Sequence, residues 1–440
     1  MKVDTMSDES IRPGYKRTEV GVLPEDWTVS PLSSIAFVTS GKRLPKGHSL
    51  TDQETPHPYI RVSDMRPGTV SLANIRYVPE NVFPLIQNYR IFKEDIFISV
   101  AGTLGIIGEV PPELNGANLT ENADRITNIS CSKRYLLHVL TSPLIQNVID
   151  SVQTVGAQPK LALTRIRNFA IPLPPTQEEQ HTIAEALSDV DALLDALDRL
   201  IAKKRAIKQG TMQALLTGRV RLPGFTSNPS YKHTEVGEIP EDWEVCPFGQ
   251  LVNIRNDKVN PALVDPSTPC VELENIGQGT GQLTGYSLAE QSTSIKYRFL
   301  ESDVLYGRLR AYLRKFWFAE FNGICTTEIW PLKPVGEQMR SEYLFQVVQT
   351  DRFNEAASMT YGTHMPRTDW SVISNLLIPV PDPSEQCAIA EVLSDMDAEI
   401  DALEKRRAKL RDIKQGMMQE LLTGRIRLVQ PKEQTKEAHV

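Results

Sequence analysis

The apolar positions of the chain include two long runs of helical period. Ile183, Leu187, Val190, Leu194, Leu197 and Ile201 advance by alternating steps of four and three. Ile389, Leu393, Met396, Ile400 and Leu403 repeat those steps, and Leu410, Met417 and Leu421 extend them. A spacing that averages 3.5 residues is a coiled-coil seam, an apolar stripe made to lie against another helix. Glu178, Glu179, Glu185, Asp189 and Asp191 crowd the first half of the first run, and Lys203, Lys204, Arg205 and Lys208 the second, which suits the helix dipole. Gly218 and Gly424, each after a threonine, supply the stop. About 40 residues at ~1.5 Å each predict rods of roughly 60 Å.

Elsewhere the apolar residues fall in shorter runs. Ile75–Val78, Asp95–Val100 and Asp303–Tyr306 read as strands between Gly, Pro and Asn turns. Tyr135–Leu140, Leu144–Ile149 and Tyr343–Val348 keep a helical period. Two mixed α/β blocks follow, about Thr28–Pro175 and Glu244–Asp382. Each closes with a proline-rich stretch, from Ile171 and from Ile378, where the prolines end a strand and stiffen the approach to the helix.

This order is a tandem duplication. From Glu179 against Glu385 onward the offset is a constant 206 residues, whereas Tyr15–Trp27 matches Tyr231–Trp243 at an offset of 216. The second block is therefore ten residues shorter, while the helices keep their length. Such duplications commonly build a pseudo-two-fold molecule. Two matching seams in one chain can zip antiparallel, with a block at each end. Duplex DNA, whose groove faces recur every ~34–36 Å, fits two look-alike modules held on a ruler. A generic dimerisation coiled coil is the plainer alternative, because heptads do not name their partner.

Composition narrows the class. A length of 440 residues suggests two or three domains, and 40% hydrophobic with 23% charged residues is ordinary for a globular protein. No apolar run approaches the roughly 18 residues of a membrane span. Met1–Ser10 lacks the apolar core of a signal peptide, so a cytoplasmic protein is expected. Cys131, Cys246, Cys270, Cys325 and Cys387 form no C-x-x-C pair and read as reduced thiols, with no metal site. A net charge of −7 argues against a simple nucleic-acid binder. It still permits one whose basic loops meet phosphates while a partner supplies the remaining positive field.

The repeated motifs are specific as a set. Gly21, Pro24 and Trp27 recur as Gly237, Pro240 and Trp243; Glu179–Ala184 recurs as Glu385–Ala390; Leu-Leu-Thr-Gly-Arg follows at each helix end. In these features the chain resembles, over nearly its whole length, the DNA-specificity (S) subunits of type I restriction–modification systems. The resemblance implies two mixed α/β target-recognition domains separated by two long antiparallel coiled-coil helices, a pseudo-two-fold tandem repeat. Its boundaries would be 1–175 and 219–383 for the domains with the linker, 176–218 and 384–424 for the spacer helices, and 425–440 for the tail. It also implies that each domain reads half of a bipartite site in double-stranded DNA, and that the helices set the gap and dock two methylation subunits. Restriction subunits would join through the complex, with no membrane involved. No cofactor is expected in this chain; S-adenosylmethionine, ATP and Mg2+ would belong to the partner subunits.

The residues agree with a non-catalytic role. Asn228-Pro-Ser-Tyr231 departs from an amino-methyltransferase tetrad at its third residue and lies in a linker. Gly102–Gly108 lacks the lysine of a phosphate loop, and Asp412-Ile-Lys414 falls in the helical repeat. The competing reading is a two-headed coiled-coil adaptor without DNA specificity.

Candidate DNA contacts lie in loops. In the first block these are Lys42 and Arg43 in a basic turn, Arg61, Ser63 and Asp64 after a strand, Thr103 in a glycine loop, and Gln158 and Lys160 near the proline exit. In the second they are Lys258, Asn275, the basic and aromatic cluster with Arg308, Arg310 and Arg314, and Thr363, His364 and Arg367. Gln suits adenine, Arg and Lys suit guanine or phosphate, and a surface ion pair is the plainer role for each arginine. The seam residues Ile183, Leu187, Val190, Leu194, Leu197, Ile201, Ile389, Leu393, Met396, Ile400 and Leu403 are the candidate partner surface. The blocks differ most in these loops, so the two half-sites should differ.

Overall fold

The computed structural model describes residues 11–153, 159–225, 230–359 and 366–429. The two seams form helices Gln177–Leu216 and Pro383–Leu421. The chain divides into two compact units, 1–197 with 406–440 and 198–405. Each unit thus holds one α/β block, the first half of the helix that follows it and the second half of the other helix. The sequence boundaries follow elements, whereas the compact units cut both helices.

In the first unit an antiparallel sheet runs in the order Ile107–Glu109, Ile96–Ser99, Ala123–Thr127, Phe37–Ser40. Ile96, Phe97 and Ile98 are all buried, which is why this strand reads as a continuous apolar run without alternation. Helices Lys133–Thr141 and Pro143–Gln153 pack Tyr135, Leu136, Val139 and Ile149 into the same core. Ile183 and Leu187 of the first long helix, Met418 and Leu421 of the second, and Leu422 just beyond it complete that core. A second sheet, in the order Arg76–Tyr77, Pro58–Ile60, Ala117–Leu119, Arg90–Ile91, contains a parallel pair between its central strands.

The second unit repeats the plan. Its sheet runs Val252–Ile254, Ile329–Pro334, Val304–Gly307, Phe316–Phe318. Ile126 lies opposite Ile96 and Val38 in the first unit; Leu332 lies opposite Val304 and Ile254 in the second. The other sheet has five strands rather than four, again with a parallel pair, Pro269–Val271 with Gly323–Thr326.

Within each unit the long helices pair antiparallel. Lys414 meets Asp191 at 2.6 Å in the first unit, and Lys208 meets Asp397 at 2.6 Å in the second. The 206-residue offset carries Asp191 onto Asp397 and Lys208 onto Lys414, so one bridge is built twice. The seam corrects the expected partner surface. Ile183, Leu187, Leu194, Leu197, Ile201, Ile389, Leu393 and Ile400 are buried, and Val190, Met396 and Leu403 are half-buried, all within this chain. Covering a large aliphatic side chain is worth about 1.5–3 kcal/mol, which favours spending the stripe on the chain's own core.

The short repeated motifs clasp each helix end. Gly424 sits at φ +64, and an added Cβ would lie 2.6 Å from Pro24 Cγ; Gly218, at φ +69, would collide with Pro240 Cδ. Only glycine fits such positions, since both the conformation and the contact exclude a side chain. Tyr15 donates its hydroxyl proton to the Gly424 carbonyl at 3.0 Å. Arg427 donates to both oxygens of the buried Glu179 at 2.8 and 2.7 Å and to Asp26 at 2.8 Å. Arg221 does the same with Glu385 at 2.9 and 2.7 Å and with Asp242 at 3.0 Å. The adjacent glutamines tie the helix starts to the blocks: Gln180 accepts from Ser132 N–H and Gln386 from Arg340 N–H, both at 2.9 Å.

Candidate nucleic-acid interface

The basic turn of the first unit leaves the strand Phe37–Ser40 at Gly41, where a Cβ would run into the Leu119 and Thr120 carbonyls. Lys42 N–H donates to Leu119 O at 2.8 Å and Tyr59 donates to Lys42 O at 2.9 Å, so the turn is fixed from below while its side chains point outward. Lys42 Nζ lies 5.6 Å from the Tyr89 ring centroid. Arg43 meets Glu121 at 2.6 Å, but its side chain is 77% exposed. A pair this exposed is worth under about 1 kcal/mol, so a phosphate can compete for the guanidinium. Burial alone would raise the Glu121 carboxyl; the bonds from Arg43 and Thr120 outweigh it and hold the group below its usual range.

The glycine loop is equally well braced. Ser99 Oγ donates to Thr103 O at 2.7 Å and accepts from Ile106 N–H at 2.8 Å, with Gly102 and Gly105 at φ +79 and +73. Thr103 is exposed at its tip. Lys160 is also exposed, whereas Gln158 lies outside the described residues.

Arg61 and Asp64 require a correction. Asp64 is buried, accepts from Arg61 N–H at 2.9 Å, and receives the guanidinium at 2.9 and 2.7 Å. The pair closes the short turn Val62–Asp64 and is not free to read bases; Ser63 beside it is exposed. Asn275 is occupied in the same way, its Oδ1 accepting from Glu272 N–H at 2.8 Å. These are matching structural caps in the two units, a role invisible in a loop sequence that offers donors and acceptors.

In the second unit the basic cluster curls tightly. Arg310 and Arg314 adopt φ +52 and +49, flanking the turn Ala311–Leu313. Left-handed geometry costs a non-glycine residue roughly 1–2 kcal/mol, and strain of this kind concentrates at functional sites. Arg310 is exposed, and Arg314 meets Asp351 at 2.7 Å. Arg308 is half-buried, its guanidinium 5.4 Å from the Trp330 ring centroid. Arg367 forks onto Glu328 at 2.9 and 2.8 Å, and Lys258 is exposed on the strand Lys258–Val259. Thr363 and His364 lie outside the described residues.

The sequence reading missed Asp124 and Trp330. Each lines a cavity next to a predicted residue: about 320 Å3 beside Lys160 in the first unit and about 590 Å3 beside Arg308 and Arg367 in the second. The strand Ala123–Thr127 reads Ala-Asp-Arg-Ile-Thr, so two adjacent charges gave no sign that Asp124 is the buried one. Burial pushes the Asp124 carboxyl up, partly opposed by Ser40, Lys160 and Arg167. Among the described residues no cluster of three or more His, Cys, Asp or Glu side chains could hold a metal ion. The cysteines are free thiols, and burial raises Cys131 to about 11, which leaves it a poor nucleophile.

Comparison with known proteins points one way. The family model described as the type I restriction modification DNA specificity domain matches residues 24–208 and 240–412. The type I restriction enzyme MjaVIII specificity subunit of Methanocaldococcus jannaschii is 27% identical over 428 residues, covering 92% of this chain and 94% of that protein. The EcoDI specificity subunit of Escherichia coli is 24% identical over 280 residues, 59% of this chain and 62% of that one. Among solved structures, a type I restriction–modification S subunit from M. genitalium matches at a TM-score of 0.53 and 16% identity, over 90% of this chain and 96% of that one.

Proposed function

The chain belongs to the type I restriction modification DNA specificity family, and on that premise we propose that it is the non-catalytic, sequence-reading subunit of such a complex. One observation carries the reading: the two units repeat a sheet, a register and a clasp, yet differ in the loops that present Lys, Arg and amide groups. A shared frame with unlike reading loops is what a split, asymmetric site requires. Residues 1–175 and 219–383 are the two recognition domains, and the helices 176–218 and 384–424 set the gap. Exposed contacts such as Lys42, Arg43, Thr103, Lys160, Lys258, Arg310 and Arg367 meet phosphates or bases.

Two methylation subunits dock along the helices, using positions the internal seam leaves open. On the first helix Leu193, Leu200 and Ile207 are exposed and seven residues apart, hence on one face. Restriction subunits join through the complex, and S-adenosylmethionine, ATP and Mg2+ serve those partners. No helix among the described residues is long and apolar enough to cross a membrane, and the site of action is the cytoplasm, where the DNA is. Replacing residues 244–382 by the equivalent block of a relative tests the modular reading. One half-site should change and the other persist; a change in both, or in neither, contradicts it.

A further inference from the structure

The two cavities beside the predicted loops occupy the same place in their respective units. Asp124 pairs with Ile98 and Ser40 across the first sheet. Trp330 pairs with Tyr306 across the second, and Asn256 lies two residues beyond Ile254, which faces Leu332. The next contact confirms the match: Leu161 N–H donates to Val100 O at 3.0 Å, and Thr368 N–H donates to Arg308 O at 2.9 Å. Val100 and Arg308 each follow the equivalent central strand, so Lys160 and Arg367 arrive at equivalent rims. Four positions therefore correspond in the two units: Ser40 with Asn256, Val100 with Arg308, Asp124 with Trp330, and Lys160 with Arg367.

The shared cleft carries opposite chemistry in the two units, from neighbouring and not identical positions: Asp124 on one strand of the first, Arg308 after the adjacent strand of the second. Asp124 is 1% exposed and Ser40 helps to stabilise its carboxylate, but among the described residues its Oδ1 has no hydrogen-bond partner although the side chain lines the cavity. A buried carboxylate oxygen without a donor is costly, so the site is complementary to a donor from outside. Arg308 presents donors only, lies over the Trp330 face, and has a buried Nε without a partner among the described residues. Stacking on an aromatic face holds the planar fork in orientation for an acceptor pair.

We propose that these clefts are the equivalent base-reading subsites of the two units, of opposite hydrogen-bonding polarity. Asp124 accepts from the exocyclic amine of an adenine or cytosine in one half-site, and Arg308 donates to a guanine O6/N7 edge in the other. Lys160 and Arg367 at the rims hold the neighbouring phosphates. This assignment rests on the DNA-reading function proposed above.

The test uses the complex of this chain with its methylation subunit on random duplexes, and then on the enriched site. A wild-type complex that enriches no split site refutes the function; the subsites are judged only on a site that is enriched. Removing the exocyclic amine from one adenine or cytosine of a single half-site should weaken wild-type binding about tenfold or more. Asp124→Asn should lose discrimination at that same base and leave the other half-site unchanged. In the other half-site, 7-deazaguanine at one position should weaken wild-type binding, and Arg308→Gln should relax the preference there alone. The modified duplexes need no variant protein, so they stand even where a substitution fails to fold. Insensitivity of every base to loss of its amine or N7, or an unchanged motif in folded Asp124→Asn and Arg308→Gln complexes, overturns the assignment.

Discussion

Replacing Glu385 by alanine should loosen the second unit more than the equivalent change, Glu179→Ala, loosens the first. The Glu385 side chain is 1% exposed and takes two bonds from Arg221, itself 6% exposed, and one from Trp243 Nε1 at 3.0 Å. Breaking a buried pair by removing one partner costs about 3–5 kcal/mol. Stranding the indole N–H adds on the order of 1 kcal/mol, while Asp242 retains part of the guanidinium and returns some of it. The net expectation is about 4 kcal/mol, roughly a thousandfold in an equilibrium constant. Glu179 carries the same arginine pair, but Trp27 Nε1 donates to no group among the described residues, so the loss of Glu179 should cost about 1 kcal/mol less. Hydrogen exchange resolves the two units separately, which a single melting curve of a two-unit chain does not. The slowest amides of Glu244–Pro247 and Leu377–Val380 report the second unit, and those of Thr28–Pro31 and Ala170–Leu173 the first. Protection in the second unit should fall roughly a thousandfold in Glu385→Ala, and protection in the first several-fold less than that in Glu179→Ala. A loss below tenfold in Glu385→Ala, or equal losses in the two variants, would refute the reasoning.

Further expectations follow from the same contacts. Gly424→Ala adds a Cβ against Pro24 at positive φ and should destabilise the first unit by more than about 1 kcal/mol, read by hydrogen exchange of Thr28–Pro31 and Ala170–Leu173. Burial raises the Asp124 carboxyl, so the native state binds a proton at higher pH than the unfolded chain does. The resulting penalty is fully present at neutral pH and fades as pH falls through the native value toward the unfolded one. Asp124→Asn should therefore stabilise the first unit at pH 7, with an advantage that shrinks on acidification in pH-dependent denaturation. If Lys42 and Lys160 each neutralise one phosphate, Lys→Ala at either should lower the slope of log K against log salt by about 0.9, measured by titration of the complex. Leu194→Asp with Leu197→Asp buries two charges in the seam, and should abolish both helix pairing and assembly with methylation subunits in co-purification.

Much of this architecture was legible in the chain because duplication makes long-range order visible locally. The gap-free 206-residue offset announces two helices of matched length, and Gln177–Leu216 and Pro383–Leu421 agree with it. The strand Ile96–Ser99 was equally readable, from a short apolar run between turn residues, and the helix Lys133–Thr141 from the period of Tyr135–Leu140. That the two seams meet each other was readable from their match, but which block each half of a helix serves was not, since a heptad stripe does not name its neighbours. Only burial places Ile183 and Leu187 in the first core and Ile389 and Leu393 in the second. The clasp was hidden because Tyr15 and Gly424 are 409 residues apart. In the candidate interface the exposed lysines and arginines were legible from charge and turn residues. Asp64 and Asn275 misled because capping and base reading demand the same functional groups. Asp124 and Trp330 stayed out of view because their meaning depends on which strand each faces.

The central claim is that this chain confers a split DNA specificity on a methylation partner. The most direct measurement is methylome sequencing of cells expressing the chain with its methylation subunit, against cells lacking the chain. The account predicts a chain-dependent, gapped and asymmetric motif with adenine methylation on both strands. An intact complex with an active methylation subunit and no chain-dependent motif would contradict it.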